Sequence, residues 1–372
     1  QLSGPEITYP LRLLVCTECW LVQLPAHATA EDLFTPDYAY FSSTSSSWCA
    51  HAERFVATAI KRLQLGPKSQ VLELASNDGY LLQYVQKRGI PCLGIEPTHA
   101  TAEAAREKGI PTLETFFGLK LAESLELADL VVANNVLAHV PDINDFLAGI
   151  AAVLKPTGLA SIECPHLLRL LEGNQFDTIY HEHYSYLSLQ VMQRLACTAG
   201  LMVVDVEELP THGGSLRLWL ARKEAGRKVS TAVKNVALQE QAAGLETLGA
   251  WAQFQQSAEG AKNGLLRFLL QEKEAGRVVM GYGAAAKGNT LLNYAGVRAD
   301  LLPAVADLAP SKQGLYLPGS HIPVISPDQL LESHPQNILV LPWNLIDEVT
   351  NQLPGQRLIT AIPELKKWSH DY

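Results

Sequence analysis

The chain has 372 residues, 47% of them hydrophobic and 18% charged, and a mean hydropathy of +0.04; at roughly 100–200 residues per domain, that is two or three domains. No apolar run approaches the roughly 20 residues of a membrane span, and a formal charge of −9 with a pI near 5.7 lacks the surplus of Lys and Arg that a nucleic-acid partner demands. Six irregularly placed cysteines make no disulfide framework, and no basic-plus-apolar leader opens at Gln1, so the expectation is a reduced, cytoplasmic enzyme acting on a small molecule.

Residues 1–47 have little helical periodicity, carry Cys16-Thr-Glu-Cys19 and end in a Ser-rich run from Ser42 to Ser47. They read as a small irregular module. The chain starts without Met and reaches its first cysteine pair early, as if an upstream segment were missing.

A second region, 48–225, opens with an amphipathic helix from about Trp48 to Leu65, a Gly66-Pro67 break and a short apolar strand, Gln70–Leu74. Apolar strand candidates recur at 92–96, 129–133 and 159–163, alternating with helical stretches. This is the pattern of an α/β, doubly wound, mostly parallel sheet covered on both faces.

Residues 226–276 predict a helical linker, rich in Ala, Leu, Gln and Glu. From 277 to 372 a second alternating pattern begins: Val278-Val-Met280 as a strand, a Gly-rich turn, a helix from about Gly288, and strands near 303–306, 338–341 and 357–361. A second, Rossmann-like domain is expected there.

The first turn, Leu72-Glu-Leu-Ala-Ser-Asn-Asp-Gly-Tyr-Leu81, is polar and ends in one glycine, so a ligand can approach its backbone. In doubly wound folds ligands bind at the carboxyl ends of strands, where an acid ending the second strand bonds ribose hydroxyls. Glu96 occupies that position. A dinucleotide site would want GxGxxG to admit a pyrophosphate; here Gly79 stands alone beside Asp78, which suits a cationic, phosphate-free nucleoside. S-adenosylmethionine is therefore expected before NAD, with Glu73, Ala75, Asn77, Asp78, Gly79, Glu96, and Asn134 and Asn135 after the third strand, as cofactor residues. Asp78 and Glu96 also admit a plainer role as helix caps.

Phe176-Asp-Thr-Ile-Tyr-His-Glu-His-Tyr-Ser-Tyr186 crowds imidazoles, carboxylates and phenols into one short stretch. Removing a proton beside a ketone needs a base with a pKa near working pH, which His supplies. A neighbouring Glu orients it, and a Tyr hydroxyl can bond a developing enolate oxygen. The His-Glu-His run also suggests a metal, although it lacks the HExxH spacing that puts two His on one helical face. Thr211-His-Gly-Gly-Ser-Leu-Arg217 offers Arg217 as cleft lining. In the C-terminal region Gly281-Tyr-Gly283-Ala-Ala-Ala-Lys287-Gly288-Asn289 opens a helix, so backbone amides with Lys287 and Asn289 could hold a phosphate. The loop Pro310-Ser-Lys312-Gln-Gly314 adds Lys312 to such an anion pocket.

Taken together, these residues resemble the three-domain sugar C-methyltransferases of deoxysugar biosynthesis: paired N-terminal cysteines, Tyr38-Ala-Tyr40-Phe-Ser42, the Ser76–Gly79 turn, the Tyr-His-Glu-His string, Gly-Gly-Ser-Leu-Arg and the C-terminal Gly-Ala-Ala-Ala-Lys-Gly turn. The resemblance covers essentially the whole chain. It implies C-methylation beside the ketone of a dTDP-linked keto sugar, with His183 as general base and Tyr180, Glu182 and His139 around the reacting carbon. It further implies that Tyr38, Tyr40 and His181 face the substrate and that Cys16 and Cys19 are half of a structural zinc site. A nicotinamide oxidoreductase, or transfer to oxygen or nitrogen on the same fold, stands as the alternative.

Overall fold

The computed structural model describes residues 6–27, 29 and 41–368. The chain divides into two units, one from Leu13–Leu167 and His181–Ala243, the other from Gln1–Arg12, Leu168–Tyr180 and Gly244–Tyr372.

In the first unit the Cys16–Cys19 turn joins β1 (Leu14–Val15) to β2 (Val22–Gln23). Then come β3 (Val71–Leu74), β4 (Cys92–Ile95), β5 (Thr112–Leu113) and β6 (Ala128–Asn134). They are followed by β7 (Leu154–Pro165), β8 (Ser185–Tyr186), β9 (Leu201–Leu209) and β10 (Ser215–Arg222). β1, β2 and β8 form a small antiparallel sheet, with Val22 opposite Tyr186 and Gln23 opposite Ser185. Part of the N-terminal module, expected to be irregular, is thus a hairpin completed by the strand that leaves the His-Glu-His string. Such short strands are not stable alone and hold only by pairing.

The other seven strands lie in the order β5-β4-β3-β6-β7-β10-β9. β10 alone runs against both neighbours. Successive side chains of β6 enter opposite cores: Leu130 and Val132 pack with Phe55 and Leu82, whereas Val131 and Ala133 pack with Leu147 and Ile150. Burial of both faces is why this strand reads as a continuous apolar run. The helix Ser46–Leu63 covers one face, with Ser45 capping it by accepting from the Trp48 amide. It begins slightly ahead of the predicted Trp48 because the serine run supplies the cap. Glu240, on the helix Thr231–Ala242, is fully buried; it pairs with His166 at 2.9 Å and accepts from the Leu189 and Gln190 amides at 2.6 and 3.1 Å. Its charge thereby satisfies the N-terminus of the helix Leu189–Thr198, which follows β8.

The second unit contains β11 (Val279–Tyr282), β12 (Val305–Ala306), β13 (Val324–Ile325), β14 (Asn337–Val340), β15 (Leu358–Thr360) and β16 (Lys366–Trp368). Their order, β13-β12-β11-β14-β15-β16, is the 3-2-1-4-5-6 arrangement of dinucleotide-binding sheets. Met280, Tyr282, Ile338, Val340 and Leu358 form its core. The segment expected to be a helical linker holds two helices, of which Thr231–Ala242 packs with the first unit and Leu248–Glu274 with the second.

Candidate active site

At the end of β3 the backbone passes through left-handed conformations at Ala75 (φ 53°), Asn77 (φ 50°) and Gly79 (φ 75°). A Cβ on Gly79 would overlap the Ile110 side chain, so both conformation and space require glycine there. Glu96, buried at the end of β4, accepts from the Asn77 amide at 2.8 Å and the Thr98 amide at 3.0 Å. Asp78 faces elsewhere than a ligand-facing reading suggests. Its carboxylate binds the backbone and hydroxyl of Ser43 and, at 3.0 Å, Lys108 Nζ, while Asn77 Oδ1 accepts from the Ser42 amide at 2.8 Å. The two residues pin the segment ahead of the first helix onto the turn.

Glu73 is buried, and neither of its oxygens has a hydrogen-bond partner among the described residues. Burial, together with the charges of Glu96 and Asp78, raises its carboxyl well above the ordinary range. Ser76 Oγ, Asn134 Oδ1 and both amide atoms of Asn135 are equally unpartnered among the described residues. Each such atom costs about 1–3 kcal/mol when left unsatisfied. Concentrated at the carboxyl ends of β3 and β6, they fit a polar ligand, and three carboxylates opposed by Lys108 favour a cationic one. S-adenosylmethionine meets both conditions.

Directly after β6 and Asn135, the short turn Leu137–His139 carries the second feature. The Tyr184 amide donates to Ala138 O at 2.7 Å and so hangs the His-Glu-His string on this turn. The His139 and His183 rings meet edge to face with centroids 4.6 Å apart, and Tyr186 lies 5.9 Å from His183. Burial lowers His139 to about 4, opposed by a hydrogen bond with the Glu182 backbone; its ring is neutral at neutral pH. Burial raises Glu182. His181 lies edge-on to His27 at 6.0 Å, and Tyr180 ends the Leu168–Tyr180 segment of the other unit. Tyr38 and Tyr40 lie outside the described residues.

Arg217, expected to line a cleft, is held by two acids. Its guanidinium donates to Glu163 at 2.9 Å and Glu207 at 3.2 Å and lies 4.7 Å from the Phe55 ring. Burial raises the Glu163 carboxyl, but hydrogen bonds and charge from His51 and Arg217 outweigh this and leave it below its ordinary value. Neither Glu163 nor its link to His51 has a sequence signature, since a lone acid in an apolar strand has no spacing to reveal its partners.

In the second unit the predicted anion residues do gather at one sheet edge. Gly283 (φ 92°) turns the chain after β11, and a Cβ on Gly288 would approach Leu341 Cδ1 to 2.7 Å, so helix Ala286–Ala295 packs closely on the sheet. Lys287 Nζ donates to Asn344 Oδ1 at 3.0 Å and lies 4.8 Å from the Trp343 ring. Burial lowers its amine, with Asp177 opposing. Lys312 Nζ reaches Ala284 O at 3.0 Å, and Asn289 Oδ1 has no partner among the described residues. The sequence reading missed Asp177 and Asp307. Asp177 is buried, accepts from Trp343 Nε1 at 2.7 Å and is pushed by burial to about 6. Asp307 follows β12 and accepts from the Ala284 amide at 2.7 Å; the rule that singled out Glu96 would have found it.

Hydrogen bonds with the Cys19 and Glu18 backbones hold the Cys16 thiol below its ordinary value, as suits a metal-binding turn. Tetrahedral zinc takes four ligands, and among the described residues no cluster of three or more His, Cys, Asp or Glu could hold a metal. Cys16 and Cys19 do not complete a zinc site by themselves. No helix among the described residues is long and apolar enough to cross a membrane.

A seven-stranded sheet with one reversed strand, a single-glycine first turn and a carboxylate-rich edge define an S-adenosylmethionine-dependent methyltransferase, and the methyltransferase domain family matches residues 48–206. A C-methyltransferase C-terminal domain matches residues 210–363 and a zinc binding domain residues 1–34. The chain belongs to the C-methyltransferases: it is 34% identical to C-methyltransferase NovU of Streptomyces niveus over 371 residues, 97% of this chain and 88% of that protein. Shorter similarity, 31% over 94 residues, reaches a ubiquinone biosynthesis O-methyltransferase of Bradyrhizobium sp. (strain ORS 278), covering 24% of this chain and 37% of that one. The crystal structure of magnesium protoporphyrin IX methyltransferase from Synechocystis PCC 6803 with bound SAM aligns with a TM-score of 0.37 and 14% identity over 47% of this chain and 79% of its own. Membership of this family sets aside the nicotinamide oxidoreductase and transfer to oxygen or nitrogen.

Proposed function

We propose that this cytoplasmic enzyme methylates a ring carbon beside the ketone of a nucleotide-linked, dTDP-type keto-deoxysugar by way of an enolate. The observation that carries the reading is the His139–His183 pair, one ring neutral by burial, hung on the turn that follows the cofactor-facing asparagines. S-adenosylmethionine, when bound, supplies an electrophilic methyl group. Glu73, Glu96 and the backbone from Ala75 to Gly79, with Asn134 and Asn135, would hold it. His183 takes the proton from the carbon beside the ketone, worth a factor of roughly 10² to 10⁴. Tyr180, which directly precedes the string, donates a hydrogen bond to the enolate oxygen, and neutral His139, whose single N–H is taken by the Glu182 backbone, packs edge to face against the His183 ring. Glu182 orients the string. Holding both reactants in place can contribute roughly 7–11 kcal/mol.

The second unit binds the nucleotide through Gly283, Lys287, Asn289 and Lys312, while Arg217 acts from within its ion pairs. Cys16 and Cys19 would supply two of the four ligands that a structural zinc needs. The reading is tested by mass spectrometry of dTDP-4-keto-deoxysugars incubated with the protein and S-adenosylmethionine in deuterated water. A product heavier by one methyl and without solvent deuterium at the methylated carbon is expected; no methylated sugar across the series would refute it.

A further inference from the structure

The first unit carries another oriented histidine that the chemistry above leaves unused. His51 Nε2 lies 3.1 and 3.0 Å from the two oxygens of Glu163. The same carboxylate accepts from Arg217 Nη2 at 2.9 Å and Thr211 Oγ1 at 3.2 Å. Arg217 Nη2 is also 3.1 Å from His51 Nε2. Both oxygens of the Glu163 carboxylate, which can only accept, face Nε2, and Arg217 Nη2 already donates to that carboxylate, so the imidazole proton is assigned to Nε2. In the neutral ring Nδ1 then carries the lone pair. The Glu163 side chain is completely buried, whereas that of His51 is 12% exposed, so the acid anchors a ring that reaches the surface of the site.

The position of this dyad gives it meaning. Glu163 is the register partner of Asn134 across β6 and β7, and its carbonyl accepts from the Asn135 amide at 2.7 Å. It therefore stands on the strand beside the cofactor-facing asparagines, at the sheet edge where doubly wound folds bind ligands. Trp48 stacks on His51 with centroids 4.8 Å apart and planes 13° apart, and His212 meets Trp48 edge-on at 5.3 Å. All three side chains keep some exposure. Tyr80 also stacks on Trp48, with centroids 6.0 Å apart and planes 22° apart, so the Trp48 ring is held in a partly exposed aromatic cluster. Such a cluster beside a few fixed polar groups is the chemistry that selects a small hydroxylated ring. A merely structural strut gains little from these charges, since buried ion pairs are commonly no more stabilising than apolar residues of equal volume.

We propose that His51 binds the methyl acceptor: its Nδ1 accepts a hydrogen bond from a ring hydroxyl, while Glu163, Arg217 and the stacked Trp48 are positioning residues. The proposal rests on the keto-sugar reading above. The test assays the full chain with S-adenosylmethionine against dTDP-4-keto sugars that each lack one ring hydroxyl. For one hydroxyl the wild type prefers the hydroxylated sugar by about tenfold or more in kcat/KM. His51→Phe keeps a stacking ring but no acceptor, and should bring that ratio close to one with the S-adenosylmethionine KM unchanged. Glu163→Gln should lower the ratio partway. A ratio in His51→Phe equal to the wild type overturns the proposal.

Should either variant fail to fold, nitrogen-15 NMR of the wild-type histidines decides. The His51 Nδ1 resonance should move on adding the hydroxylated sugar and stay in place with its deoxy counterpart; equal response to both overturns the proposal. Failure of the wild type to methylate any nucleotide-linked keto sugar removes this proposal together with the reading beneath it. Methylation with an unmoved ratio removes this proposal alone.

Discussion

The two sheets fasten their ligand turns in the same way. In the first unit Glu96 ends the second strand and takes the Asn77 amide of the first turn and the Thr98 amide two residues beyond itself, at 2.8 and 3.0 Å. In the second, Asp307 takes the Ala284 amide of the first turn and the Ala309 amide two residues beyond itself, at 2.7 and 2.8 Å. The surroundings differ in sign. Glu73 and Asp78 flank the first acid, whereas Lys312 lies 3.4 Å from the second and Lys287 stands on the helix that follows the turn. A shared backbone frame fixes where a ligand can lie, and side-chain charge decides whether it is a cation or an anion.

The comparison breaks at chemistry, because among the described residues only the first unit has paired imidazoles. His183→Ala should lower kcat by roughly 10² to 10⁴ while S-adenosylmethionine binding, followed by calorimetry, stays at the wild-type value. Turnover within a few-fold of wild type would move the base elsewhere. The division between cation and anion is sharpened by a matched pair of neutral substitutions. Glu96→Gln should weaken S-adenosylmethionine binding by roughly 10- to 100-fold, the range for a hydrogen bond to a charged group, and leave the acceptor KM in place. Asp307→Asn should raise the acceptor KM and spare the cofactor. If both weaken the same ligand, the two units do not divide the work in this way.

The smallest expected effect is in pH. His139 sits at about 4, below its ordinary 6.5, so its contribution is present above about 6.5 and is lost as pH falls through about 4. Asp177 sits at about 6, above its ordinary 3.8, so its contribution is full below about 3.8 and is lost as pH rises through about 6. These slopes oppose each other in any global measure of stability. NMR titration group by group separates the two: the His139 ring should stay neutral until pH falls toward about 4, and the Asp177 carboxyl should protonate near 6. A His139 ring that protonates at its ordinary 6.5, or an Asp177 still ionised well below 6, would count against these assignments.

Much of this was legible in the sequence because buried parallel strands leave near-continuous apolar runs, as Leu130–Ala133 does, and because Glu96 and Lys287 stand at fixed offsets from a strand and a turn. β9 and β10 were not predicted. Asp205, Glu207 and Glu208 interrupt the apolar pattern of Leu201–Leu209, and Ser215, Arg217 and Arg222 do the same in Ser215–Arg222. Partnerships across long separations were invisible as well: Asp78 with Ser43, Glu163 with His51, and Glu240 with His166 each join distant elements by a contact without periodicity. The direction in which Asp78 points depends on a segment whose docking only the folded chain reveals.

The hairpin of β1 and β2 has a practical consequence for anyone redesigning this enzyme. Val22 and Gln23 are zipped to Tyr186 and Ser185, the residues that close the string holding His183, and the Leu24 amide bonds Tyr184 O at 3.0 Å. The cysteine turn and the string therefore constitute one transplantable cassette. A chimera that imports a new string without its matching hairpin would lose the strand pairing that β2 gives β8.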